Sequence, residues 1–218
     1  MCPSILNADR NNLFSEIDRV VSSSDLLHLD VMDNIFVPNF TFSFEESVAI
    51  IEASALAVDA HLMIINPDEK AADYARAGAS SVTFHFEASS DPHKTIEKIR
   101  SAGARAAIAV KPSTPFYLLQ ELLPDLDMVL IMTVEPGFGG QSFMTEMMPK
   151  VESARLALKE IDRDIWLQVD GGISVETIAT AAAAGADAFV AGSAVYKAPS
   201  PAQMLETLRK LATENSAV

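Results

Sequence analysis

A single cysteine, Cys2, stands among the 218 residues, so no internal disulfide can form. That fits a reducing compartment. No run of about 18 apolar residues occurs, which excludes an ordinary membrane-spanning helix. The first residues, Met-Cys-Pro-Ser-Ile-Leu-Asn, have neither the basic region nor the apolar core of a signal peptide, and a cytoplasmic location is expected. Positive charge is also scarce: 16 lysines and arginines face 30 aspartates and glutamates, a net charge of −14, with no basic cluster. Such a surface repels nucleic acid and anionic lipid, so neither is expected as a partner. An anionic small molecule would have to be held by local backbone dipoles rather than by the overall field.

What is present suits a well-cored globular protein, with 49% hydrophobic and 21% charged residues. A chain of this size buries roughly 70% of the surface its unfolded form exposes, so it needs no staple to fold. No linker or low-complexity stretch divides residues 1–218, and one domain is expected. Short β-rich runs are predicted at Pro3–Leu6, Leu26–Val31, Ala57–Met63, Ser81–Phe86, Ala104–Val110, Met128–Thr133, Ile165–Val169 and Ala188–Ala191. Helical patterns fall between and after them, at Leu13–Val21, Phe44–Glu52, Pro67–Ala77, Pro92–Ser101, Pro115–Leu122, Glu146–Ile161, Val175–Ala184 and Pro201–Thr213. Uninterrupted alternation of strand and helix predicts an α/β fold, a single (β/α)8 TIM barrel. Chemistry is then expected at the C-terminal strand ends.

Residues of catalytic type collect there. His28 and Asp30 alternate on the second predicted strand, so both share the face opposite Leu29 and Val31. His61 ends the third strand and Asp170 follows the seventh. A buried carboxylate needs a partner, and two imidazoles with two carboxylates suit one divalent ion such as zinc, iron(II), cobalt or manganese. The plainer alternative is core histidines and helix-capping aspartates. Glycines gather in the adjacent loops: Gly137, Gly139 and Gly140 beside Phe138, then Gly171 and Gly172, then Gly192 before Ser193. They let backbone N–H groups converge on a phosphate, and the last strand-to-helix loops are a frequent phosphate site of this fold.

These residues sit in longer segments: Pro3–Asp9, His28–Asp33, Phe36–Asn39, His61–Met63, Met132–Gln141, Val169–Ile173 and Ala191–Ala194. Together they resemble the ribulose-phosphate 3-epimerase family along nearly the whole chain. The resemblance implies reversible epimerisation of D-ribulose 5-phosphate and D-xylulose 5-phosphate at carbon 3, a step of the pentose phosphate pathway. It implies His28, Asp30, His61 and Asp170 as metal ligands, with Asp30 and Asp170 also the acid–base pair. Ser4 and His61 would meet the substrate, and its phosphate would lie against Gly171, Gly172, Gly192 and Ser193. Residues Gly137, Phe138, Gly139 and Gly140 would close over the sugar. A homo-oligomer is also implied.

Asn34 and Ser43 depart from the family pattern, which has glycine at both positions; Asn tolerates left-handed backbone better than most residues. Only Met1 and Cys2 precede Pro3, so the first strand starts abruptly; that implies either a weaker barrel seam or a start codon assigned late. Met32, Met63 and Met132 also fall at strand ends, either as flexible core filling or as caps over a planar intermediate. His85 is expected to support the site rather than bind metal, His93 to be solvated, and Cys2 to carry no chemistry. Rival readings are a hexulose (allulose) 6-phosphate 3-epimerase, a non-catalytic sugar-phosphate-binding barrel, and a metal-free lyase using Lys111.

Overall fold

A computed structural model describes residues 1–217. Strands β1 (Cys2–Pro3), β2 (Leu27–Met32), β3 (Val58–Met63), β4 (Ser81–His85), β5 (Arg105–Val110), β6 (Met128–Met132), β7 (Trp166–Asp170) and β8 (Ala188–Ala191) form one parallel sheet. Each pairs with its neighbour in sequence from β2 to β8, and β1 pairs with β8. A parallel bridge between Ser4 and His28 brings the first segment onto β2 and closes the barrel. Helices α1 (Leu13–Asp18), α2 (Phe44–Ala53), α3 (Pro67–Arg76), α4 (Pro92–Ser101), α5 (Met148–Lys159), α6 (Ile178–Ala183), α7 (Ser193–Tyr196) and α8 (Pro201–Glu214) complete the (β/α)8 TIM barrel expected from the alternation. No helix among the described residues is long and apolar enough to cross a membrane.

Both faces of the barrel strands are buried, as a parallel sheet under helices requires. In β2, Leu27, Leu29 and Val31 join the large apolar cluster, whereas His28 and Asp30 take the other face. Pro67, Pro92 and Pro201 open α3, α4 and α8, where a missing N–H costs nothing. Ser43 caps α2: it accepts from Glu46 N–H at 3.2 Å, and the Glu46 carboxylate accepts from Ser43 N–H at 2.7 Å. Asn34 is the one non-glycine described residue at positive φ, at 59°. Both departures from the family's glycines are therefore locally satisfied.

Three expectations need correction. The first strand ends at Pro3, and Ile5–Asn7 form a 3₁₀ turn. The Ser4 hydroxyl accepts from Leu6 N–H at 3.2 Å, a local partner that competes with a sheet ladder. The predicted helix Pro115–Leu122 is instead two 3₁₀ turns, Phe116–Leu119 and Leu123–Asp125. Pro124 disfavours helical backbone at Leu123, leaving too short a run between prolines for a stable α-helix. The four-residue α7 was not anticipated, because Ser193–Tyr196 is too short to show a helical period.

Candidate active site

The C-terminal strand ends open on a cavity. Asp30 and Asp170 line it from β2 and β7, with Ser4, Met32, Met63 and Met132 between them. His28 and His61 lie against the two carboxylates, wholly buried. Strand register brings the set together: Asp30 is level with His61, and Asp170 with Met132. His61 Nδ1 stands 3.1 Å from Asp30 Oδ1 and 3.7 Å from Asp170 Oδ2. His28 Nε2 stands 3.4 Å from Asp30 Oδ1, 3.3 Å from His61 Nδ1 and 4.0 Å from Asp170 Oδ2. Ser4 donates its hydroxyl to Asp30 Oδ2 at 2.5 Å.

One donor atom from each of His28, Asp30, His61 and Asp170 lies within 4.8 Å of the other three. Ligands about 2.0–2.2 Å from a zinc-sized ion stand roughly 3–4 Å from one another, so the donor set fits one divalent metal. Electrostatics agree. Burial pushes both carboxyls upward in pKa. At Asp30 the charge of His28 and hydrogen bonds from His28 and His61 reverse that push and hold the carboxyl far below its usual range. At Asp170 the charge of Asp30 adds to burial, and the carboxyl rises to about 6. Burial lowers His28, but Asp30 and Asp59 overcome it and raise the imidazole well above its ordinary value. Without metal, a proton on His28 balances the buried anions, and a cation would displace that proton.

The opposite wall of the cavity has no cationic side chain among its lining residues. It carries Gly137, Gly139, Gly140, Gly171, Gly172 and Gly192, six of the nine glycines in the chain. Gly172 has φ of 68°, and a Cβ there would lie 2.5 Å from the Phe143 backbone nitrogen. A Cβ on Gly192 would lie 2.6 Å from Asn7 Oδ1, and one on Gly139 would lie 2.5 Å from it. Close packing of loop against loop thus requires glycine. Phe138 is exposed at the tip of its loop, and Ser193 opens α7.

Residues 1–196 match the family described as ribulose-phosphate 3 epimerase. The chain belongs to the ribulose-phosphate 3-epimerase family. It is 48% identical over 212 residues to the ribulose-phosphate 3-epimerase of Mycobacterium leprae, covering 97% of this chain and 94% of that one. It is 44% identical over 227 residues to the Candida glabrata ribulose-phosphate 3-epimerase, covering 96% and 91%. Among solved structures, 3-hexulose-6-phosphate synthase from Salmonella typhimurium shares the fold, with a TM-score of 0.69, 19% identity and 98% of each chain covered. KGPDC from Streptococcus mutans, in a ligand complex, does so with a TM-score of 0.73 and 13% identity, covering 98% of this chain and 96% of that one.

In this member of the ribulose-phosphate 3-epimerase family, buried groups outside the four expected ligands complete the cluster. Asp59, level with His28 across the sheet, lies 2.9 Å from His28 Nδ1. It precedes His61 by two residues, so alternation alone places it on the inner face. His85 lies 3.0 Å from His61 Nε2, and its Nδ1 lies 3.3 Å from Glu87. Burial lowers the His85 pKa to about 4, in keeping with a neutral supporting imidazole. Asn7, wedged between Gly139 and Gly192, also lines the cavity; it lies in the Pro3–Asp9 segment, but nothing in the sequence assigned it a role of its own. Lys111 lies over the Phe36 ring, 3.9 Å from its centre, and no lysine lines the cavity. The lyase reading therefore lacks its lysine. His93 is exposed, as expected, and Cys2 is buried and free.

Proposed function

We propose that this chain interconverts D-ribulose 5-phosphate and D-xylulose 5-phosphate by inverting carbon 3, with Asp30 and Asp170 as the two proton carriers. Membership of the ribulose-phosphate 3-epimerase family supports the substrate pair, and the curated relatives bear that name. One observation carries the mechanism. Two carboxylates meet in one cavity, and their surroundings push their proton affinities in opposite directions.

The carbon 3 proton is acidic only because the adjacent ketone can accept the electron pair it leaves. Asp30, held ionised, accepts that proton on one face of the sugar. Asp170, whose pKa is raised to about 6 by burial and the charge of Asp30 in the metal-free site, delivers another to the opposite face. In the reverse direction the roles exchange. Ser4 restrains Asp30 through its hydroxyl. Met32, Met63 and Met132 are buried around the carboxylates and exclude water from the planar intermediate. A divalent ion held by His28, Asp30, His61 and Asp170, whether zinc, iron(II), cobalt or manganese, would supply Lewis-acid stabilisation of charge on the ketone oxygen. The phosphate would take backbone N–H groups around Gly171, Gly172, Gly192 and Ser193, a cradle that answers the chain's negative charge. The loop carrying Gly137, Phe138, Gly139 and Gly140 would cover the sugar.

The test is epimerisation of ribulose 5-phosphate by purified protein before and after chelation, with allulose 6-phosphate assayed beside it. Activity lost on chelation and restored by one of the four metals supports the proposal. A folded, metal-loaded protein that turns over only the hexulose phosphate, or neither sugar, rejects it.

A further inference from the structure

Beneath the two catalytic carboxylates lies a third, and it meets neither the cavity nor solvent. Asp59 is completely buried on β3. Four side chains converge on it. His28 Nδ1 at 2.9 Å and Gln168 Nε2 at 3.1 Å share Oδ2, while Ser81 Oγ at 2.7 Å and Thr83 Oγ1 at 3.2 Å share Oδ1. We propose that Asp59 is the positioning residue for the metal site: it fixes the proton of His28 on Nδ1 and so aims the lone pair of Nε2 at the ligand cluster. The inference rests on the metal-binding reading of His28, Asp30, His61 and Asp170.

An ionised carboxylate only accepts hydrogen bonds, so every neighbour must turn a donor toward it. Gln168 shows how strongly this holds. Its Oε1 has no partner among the described residues, yet its amide keeps nitrogen rather than oxygen against Asp59. The same demand falls on His28, whose other nitrogen lies 3.4 Å from Asp30 Oδ1. Once a cation displaces one imidazole proton, the two carboxylates compete for the one that remains. If Asp30 held it, Nε2 would be a donor and could ligate nothing. Asp59 has the shorter contact, and its orientation is locked from behind by Ser81, Thr83 and Gln168. Its hold also fixes the plane of the ring, as outer carboxylates do for ligating histidines generally.

The experiment is a cobalt(II) titration of the metal-free protein, followed by visible absorption, for wild type, Asp59→Ala, Asp59→Asn and Ser81→Ala. Asp59→Ala should weaken cobalt binding about 10–100-fold and alter the absorption band, the range seen when an outer partner of a metal ligand is removed. Turnover should largely return at saturating cobalt, because Asp59 touches no substrate. Asp59→Asn should recover part of the affinity, since its amide oxygen can still accept from Nδ1–H while its nitrogen faces the Ser81 and Thr83 hydroxyls. Ser81→Ala, which leaves the carboxylate in place, should bind cobalt nearly as wild type does. Wild-type affinity and spectrum in Asp59→Ala would overturn the inference alone. Failure of the wild type to bind cobalt would overturn it together with the metal reading. Should Asp59→Ala not fold, nitrogen-15 NMR of the zinc-loaded wild type decides: a proton on His28 Nδ1 supports the assignment, and one on Nε2 refutes it.

Discussion

On the β2, β3 and β7 side of the cavity stand ionisable side chains; on the loops after β6, β7 and β8 stand glycines. The first wall packs His28, Asp30, His61 and Asp170 within one ligand sphere and sets their charges against one another. The second offers glycine after glycine and no cation at all. Under the proposed function, the contrast separates two tasks. Proton transfer needs groups whose charge can change, whereas holding a phosphate needs dipoles that do not. A lysine on the second wall would bind phosphate more strongly but would also sit in the field of two carboxylates whose proton affinities have to stay apart.

Replacing a proton carrier should give the largest effect. Asp30→Asn and Asp170→Asn should each lower kcat by about 10²–10⁴-fold with modest change in KM. Steady-state kinetics and exchange of a carbon 3 deuterium into water would check this, and activity within about tenfold of wild type would refute the two-base scheme. On the other wall the pattern should reverse. Gly172→Ala and Gly192→Ala push a methyl into the Phe143 backbone and the Asn7 amide. KM for the sugar phosphate should rise by about tenfold or more, equivalent to about 1.4 kcal/mol of binding, with kcat less affected. A loss confined to kcat would erase the distinction between the walls.

A subtler effect concerns stability. Asp170 binds its proton more tightly when folded, with a pKa of about 6 against an ordinary 3.8. Between those values the folded state holds the extra proton, so this residue's contribution to stability falls as pH rises through that window. The metal-free Asp170→Asn variant, lacking that liability, should therefore be more stable than metal-free wild type at pH 8, by up to about 3 kcal/mol. The gain should shrink toward zero near pH 4. Thermal melts at the two pH values would show it, and equal melting at pH 8 would mean that the two carboxylates do not strain one another. The smallest changes should come from the methionines. Met32→Leu, Met63→Leu and Met132→Leu should each cost less than about 1.5 kcal/mol in stability. If all three leave turnover unchanged, these side chains only fill space; a drop in kcat at constant melting temperature would make them part of the first wall.

Much of this was legible in the sequence, and the reasons are local. Alternation in His28-Leu29-Asp30-Val31 is enough to send two polar side chains inward, since a one-residue slip would bury charge among the helices. Glycine runs betray tight loops wherever they occur. Asp59 was less visible because its importance lies in register: it faces His28 across two strands separated by 31 positions in the chain. His85 was legible as a supporting residue, and the pairing of β3 with β4 brings it to His61; its own partner Glu87 gave no separate signal. The brief α7 and the 3₁₀ turns after β5 escaped because segments of three or four residues carry no period to read. Asn7 earns its place from packing between two glycines that lie 132 and 185 residues further along.

The seam has a mechanical consequence. With β1 only two residues long, the barrel is shut by the bridge between Ser4 and His28, at the level where Ser4 also grips Asp30. The ligand cluster draws on β2 and β3 on one side of that seam and on β7 on the other. An ion gathered there would act as a clasp across the barrel's shortest edge, so that loading the site and fastening the cylinder are one event.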